Sequence, residues 1–143
     1  MEIPPDVFLA GSLEVGVVYY YFSDQLKSTS EPHYCVILCI KEEWVILVCA
    51  TSKIEKRKEF IRTRKLPLET LVFASPKDES FLNSETAFNC NDPFIESIQS
   101  LSNKHSTASI KIKGKASNKL VESLTRGLLI SPMVEEKVKD LFR

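Results

Sequence analysis

Two histidines occur in the 143 residues, His33 and His105. An imidazole titrates near neutral pH, so either can give or take a proton in a reaction. His33 stands between Pro32 and Tyr34, where a polar stretch enters an apolar, β-branched run, and this would hold its ring at one end of a sheet. A half-exposed loop histidine is the competing reading. His105, within the polar stretch Ser102 to Ser106, fits an ordinary surface role better. Thr51, Ser52 and Lys53 follow a second apolar run. Two hydroxyls and an ammonium at a strand end can hydrogen-bond a phosphate, and the same residues also make a plain turn. From Lys53 to Lys65 the chain carries seven basic and two acidic residues, among them Lys56, Arg57 and Arg62. Such a concentration suits a polyanion such as RNA, or else a solvated loop or an edge device protecting an exposed strand. Asn91 is either a turn residue bonded to its own backbone or a polar group for a phosphate or a base edge.

Other chemistry is excluded by what the sequence lacks. It has no glycine-rich phosphate loop, no HExxH, no GxSxG and no acidic cluster of metal-binding type, and only four glycines. Neither a metal nor a cofactor is expected. Lys plus Arg and Asp plus Glu both total 19, so any nucleic-acid affinity must come from local segregation of charge. Cys35, Cys39, Cys49 and Cys90 form no CxxC pair and lie mostly in apolar segments, which predicts buried, reduced thiols. No apolar run has membrane-spanning length and the first residues are unlike a signal peptide, so a cytoplasmic protein without membrane contact is expected.

These residues need a scaffold, and one domain of residues 1–143 is enough for it. Short runs rich in Val, Ile, Tyr and Phe predict strands at Val15 to Phe22, Tyr34 to Ile40, Trp44 to Ala50, Thr70 to Ala74 and Glu85 to Cys90. The second and third, joined by Lys41-Glu42-Glu43, read as a hairpin. Asn91-Asp92-Pro93 opens a predicted helix reaching Leu101. Ser106 to Lys113 alternates as an edge strand, with Ala108, Ile110 and Ile112 on one face and Gly114 ending it. Leu120, Val121, Leu124 and Leu128 form a helical stripe, and a terminal helix begins at Ser131-Pro132. The expected fold is α+β: residues 1–12 as an extension, 13–90 as the strands of a small curved antiparallel sheet, and 91–143 as helices with one added edge strand. If the strand ends converge, His33, Thr51, Ser52 and Asn91 line one concave patch beside the basic segment. Tyr19, Tyr20, Tyr21 and Tyr34 are candidate stacking partners for bases, those turned outward at least.

The order of these pieces resembles the MazF/PemK-type toxins, small barrel-like endoribonucleases related in fold to CcdB-type gyrase poisons. Leu13 to Phe22 is similar to that family's glycine-containing, aromatic first strand, Glu31-Pro32-His33-Tyr34 to the polar motif entering its next strand, and Cys49-Ala50-Thr51-Ser52 to its Thr-Ser strand end. The likeness covers Leu13 to Leu101 loosely. It departs where the family's catalytic arginine would fall, near His33. The resemblance implies an SH3-like barrel, metal-independent cleavage of single-stranded RNA, a homodimer and a cognate antitoxin. His33, Thr51 and Ser52 are then the catalytic candidates, with Lys53, Lys56, Arg57, Arg62 and Asn91 binding nucleic acid. Two rivals follow from the same residues: a non-catalytic barrel binding nucleic acid or protein, and a gyrase-type poison acting through its C-terminal helix.

Overall fold

The alternation of β-branched and aromatic residues that marks strands in the sequence is continued by hydrogen-bonded ladders in the computed structural model, which describes residues 13–21, 33–106 and 110–143. The expected extension at 1–12, Phe22, Glu31, Pro32, Ala108 and the side chain of His105 lie outside the described residues. The central hairpin is β2 (His33–Lys41) and β3 (Trp44–Thr51), antiparallel and closed at Lys41 opposite Trp44, with Glu42 at a φ of 56° making the turn. β1 (Val17–Tyr21) adds on the far side of β2, and β7 (Ile110–Lys115) adds on β1. Gly114, expected to end this strand, lies inside it at a register shift opposite Val18. Gly16 precedes β1 at a φ of +96°, a conformation that side-chain-bearing residues rarely adopt, and ties three strands together: its N–H donates to Ile37 O and its carbonyl accepts from Ala116 N.

β3 carries two further partners along its length. Its first half, Trp44 to Leu47, pairs with β6 (Phe94–Ser97), and its end, Ala50 and Thr51, pairs with β5 (Thr86–Asn89), which pairs in turn with β4 (Leu71–Ala74). The helix expected from Pro93 therefore begins later, as α2 (Ile98–Ser106). Phe94 and Glu96 turn inward from the strand that precedes it, because pairing with β3 outweighs a short local helical pattern. A second correction concerns Lys53 to Lys65, which reads as a loop in the sequence and forms α1 (Ile54–Arg64). Its Glu, Lys and Arg residues favour helix intrinsically. Ile54, Phe60 and Ile61 are its thin apolar stripe, seated on Leu66, Leu71 and Ala87 at the β4–β5 edge.

Both faces of the sheet are covered, which is why Val45 to Ala50 is buried without interruption. On one face Val18, Val36, Ile46, Val48 and Phe88 pack under α3 (Asn118–Ile130) and the C-terminal segment containing α4 (Glu136–Lys139). On the other, Tyr19, Cys35, Ile37, Leu47, Cys49 and Phe94 pack with Leu101 of α2. Ser117 caps α3 by accepting from Leu120 N, while its own N–H and hydroxyl donate to the buried carboxylate of Glu79 at 2.8 and 2.6 Å. The result is an α+β domain with a seven-stranded antiparallel sheet and, among the described residues, four α-helices. No helix among them is long and apolar enough to cross a membrane.

Candidate functional site

The β2/β3 ladder ends at the Cys35/Cys49 pair. Beyond it the strands part: His33 pairs with Tyr21 of β1, whereas Thr51 pairs with Ala87 of β5. A cavity opens in this split, lined by His33, Cys49, Ala50, Thr51, Ser52, Lys53, Arg57, Asn89, Asp92 and Phe94. Strand parity explains the membership. His33 and Thr51 lie two residues beyond Cys35 and Cys49, so all four project on one face, across from one another. The cavity holds about 40 Å³, room for about three water-sized groups. That is too small to swallow a nucleobase and suited to the oxygens of one phosphate.

The cavity's donors are arranged by local structure. Thr51 Oγ1 accepts from Lys53 N at 3.1 Å, which bends the chain from β3 into α1 and leaves the hydroxyl hydrogen to point elsewhere. The turn reading and the donor reading of Thr51 are thus compatible. α1 starts at the rim, adding the positive end of an 11-residue helix. Arg57, in its first turn, faces the cavity, and its Nε is buried without a hydrogen-bond partner among the described residues. A buried N–H of a charged group without an acceptor is costly, and an anion in the cavity would satisfy it.

A groove of about 380 Å³ runs from the cavity along α1, lined by Lys53, Lys56, Arg57, Glu59, Phe60, Thr63 and Arg64. The helical repeat gathers these cations on one side, and Arg64 lies over the Phe60 ring at 5.2 Å. Arg62 is elsewhere. It pairs with Glu59 and lines a different hollow with Lys58, Leu68 and Phe73.

Asn91 does not line the cavity. Its amide is buried, donating to Thr70 Oγ1 at 3.0 Å and accepting from Ser131 Oγ at 2.6 Å, so it locks the β5–β6 connection to the end of α3. Its neighbours Asn89 and Asp92 line the cavity instead. The signal for them was the polar run Asn89-Cys90-Asn91-Asp92 after a strand, whose facing only the β3–β5 register decides. Tyr19, Tyr20 and Tyr34 do not line the cavity either, and the side chain of Tyr21 lies outside the described residues. Tyr19 is wholly buried, with its hydroxyl pushed well above the ordinary phenol range by desolvation, and the Tyr34 ring packs against Tyr20 and, edge-on, against Phe81. Among the described residues, Phe94 in the cavity lining and Phe60 on α1 are the aromatic groups beside these cations.

The cysteines divide. Cys35 and Cys49, expected as free thiols, form a disulfide across the last shared rung, because direct opposition in an antiparallel pair brings their Cα atoms to 4.0 Å. Cys90 is a buried thiol whose pKa desolvation pushes up to about 12. Burial also raises that of Cys39, with Lys41 opposing, and Cys39 Sγ donates to Leu141 O. Compared with known protein families and with curated proteins, the chain matches none.

Proposed function

We propose that the protein is a metal-independent endoribonuclease acting on single-stranded RNA, built on an incompletely closed variant of the SH3-like PemK/MazF barrel and working in the cytoplasm. The observation that carries this reading is the single cavity that His33, Thr51, Ser52, Lys53 and Arg57 all line. A phosphodiester seated there accepts hydrogen bonds from the Thr51 and Ser52 hydroxyls and from the Arg57 guanidinium. The flanking strand lies along Lys56 and Arg64, with Phe60 available for stacking.

Cleavage is attack of a ribose 2′-hydroxyl on its own phosphorus, with the bond to the departing 5′-oxygen breaking to leave a 2′,3′-cyclic phosphate. One group must remove the hydroxyl proton and another must protonate the leaving oxygen. His33 takes one of these roles. Asp92, the carboxylate on the same cavity, is the available partner for the other. Arg57 and Lys53 stabilise the charge that grows on the phosphoryl oxygens. The family resemblance adds a homodimer and a small antitoxin partner to the proposal.

Purified protein incubated with mixed-sequence single-stranded RNA in EDTA should produce fragments ending in 2′,3′-cyclic phosphate. His33→Ala should slow this by about 10²- to 10⁴-fold while still binding RNA. RNA left intact by the wild type, or cut equally by the variant, refutes the assignment; salt-sensitive binding with no cleavage by either would establish the non-catalytic reading instead.

A further inference from the structure

We infer that the Cys35–Cys49 disulfide is a reversible thiol–disulfide exchange site that sets the geometry of the cavity, and that its reaction partner is a dithiol reductant. The inference concerns regulation of the site proposed above and rests on that reading for its functional meaning, though its structural content is independent of RNA. Three observations carry it. The disulfide closes the last rung that β2 and β3 share, and the two strands part immediately beyond it to different partners. His33 and Thr51, which face each other across the cavity, lie two residues past the two sulfurs on the same face of the sheet. Cys49 lines the cavity and Cys35 does not, so Cys49 is the half of the disulfide on the open side.

The location separates this disulfide from a folding staple. The hairpin it spans is already held by pairing from Val36/Val48 to Lys41/Trp44, and β1 and β6 flank it. Breaking the bond leaves that ladder intact. Its effect is confined to the end at which no further β2/β3 pairing restrains the strands.

The exchange is balanced. A thiolate of the dithiol attacks Cys49 Sγ, the sulfur–sulfur bond breaks, and Cys35 leaves as a thiolate that takes up a proton. The second thiol of the reductant then attacks the mixed disulfide, releasing Cys49 as a thiol and the reductant as its own disulfide; two electrons pass to the protein. Two unbonded sulfurs need more room than a bonded pair, so the rung widens and His33 separates from Thr51. The oxidised protein has the assembled site and the reduced protein a loosened one.

The test is two-dimensional NMR of the full chain, with and without excess dithiothreitol, reading the His33 ring and the Thr51 and Ser52 amides. Reduction should shift these resonances and leave Val45 and Ile46, at the paired end, in place. Titration with inorganic phosphate should then give a weaker response at Thr51 in the reduced protein. A Cys35→Ser/Cys49→Ser variant should resemble the reduced form and ignore the reductant. Unmoved His33 and Thr51 signals after thiol quantitation shows four free thiols would overturn the inference, as would a disulfide that resists reduction until the chain unfolds. Shifts without any RNA cleavage would uphold the exchange site while removing the nuclease.

Discussion

Replacing Asn91 by alanine separates a structural amide from a nucleic-acid contact. In the folded protein Asn91 Oδ1 accepts from Ser131 Oγ at 2.6 Å, and its Nδ2 donates to Thr70 Oγ1, which in turn donates to Pro67 O. Ser131 and Thr70 have no solvent exposure. In Asn91→Ala the Ser131 hydroxyl hydrogen loses its acceptor, whereas Thr70 keeps its bond to Pro67. One stranded buried donor costs about 1–3 kcal/mol, and the small void left by the amide adds to it. The expected loss is about 2–3 kcal/mol, which for a domain of this size lowers Tm by roughly 6–10 °C. Ser131→Ala alone strands the Asn91 oxygen instead. The double variant removes both halves of the pair, so its loss should fall short of the sum of the single losses by about 1 kcal/mol. Urea titration of the four proteins measures the cycle, and filter binding of a short RNA below the transition measures function. Additive losses, an Asn91→Ala loss under about 0.5 kcal/mol, or weakened RNA binding by the folded variant would each refute the reasoning.

Gly127→Ala sets two effects against each other. Alanine is favoured in a helix by about 1 kcal/mol, but a Cβ at Gly127 would stand 2.6 Å from Glu69 O and 2.8 Å from Cys90 Sγ. Overpacking of about 1–3 kcal/mol wins, and calorimetry should show a lower Tm. The buried Cys90 thiol, raised to about 12 in the folded chain, predicts alkaline weakening. The unfolded thiol ionises near ~8.5, so its share of stability is whole below that pH and is lost as pH climbs toward 12. Between pH ~8.5 and ~10 the loss is about 1.5 kcal/mol, absent from Cys90→Ala when its unfolding free energy is followed over the same range. Among the cations of α1, Lys56→Ala and Arg57→Ala should each lower the salt dependence of RNA binding by about one unit of slope. Arg62→Ala, on the other side of the helix, should leave it unchanged.

The hairpin, the first and fourth strands and the helical stripe of α3 were legible because each is a long or strongly periodic run with one interpretation. Phe94 to Ser97 was not, since four residues after Asp92-Pro93 fit a helix start as well as a strand, and only the empty flank of β3 decides. α1 was hidden by its composition: a helix that buries little besides Ile61 shows almost no periodicity against five charges of one sign. The grouping of His33 with Thr51 and Ser52 was readable as strand ends of a hairpin, whose register sets them across from one another. The exchange of Asn91 for Asn89 and Asp92 was not, because it depends on which way one polar run faces after β5. Nor was the disulfide, which requires Cys35 and Cys49 to share a rung, and a register shift between Ile37 and Cys39 moves the pairing count by one.

A single-stranded oligonucleotide with 2′-deoxyribose at every position cannot be cleaved by 2′-hydroxyl attack and so can be held in place while its contacts are mapped. Titrated into isotope-labelled protein, it should shift the His33 ring, the Thr51 and Ser52 amides and the Arg57 Nε–H together, at one affinity, and leave Asn91 and Ser131 untouched. Shifts that spread along α1 but spare His33 and Thr51 would contradict the claim that the split in the sheet is where the phosphate binds.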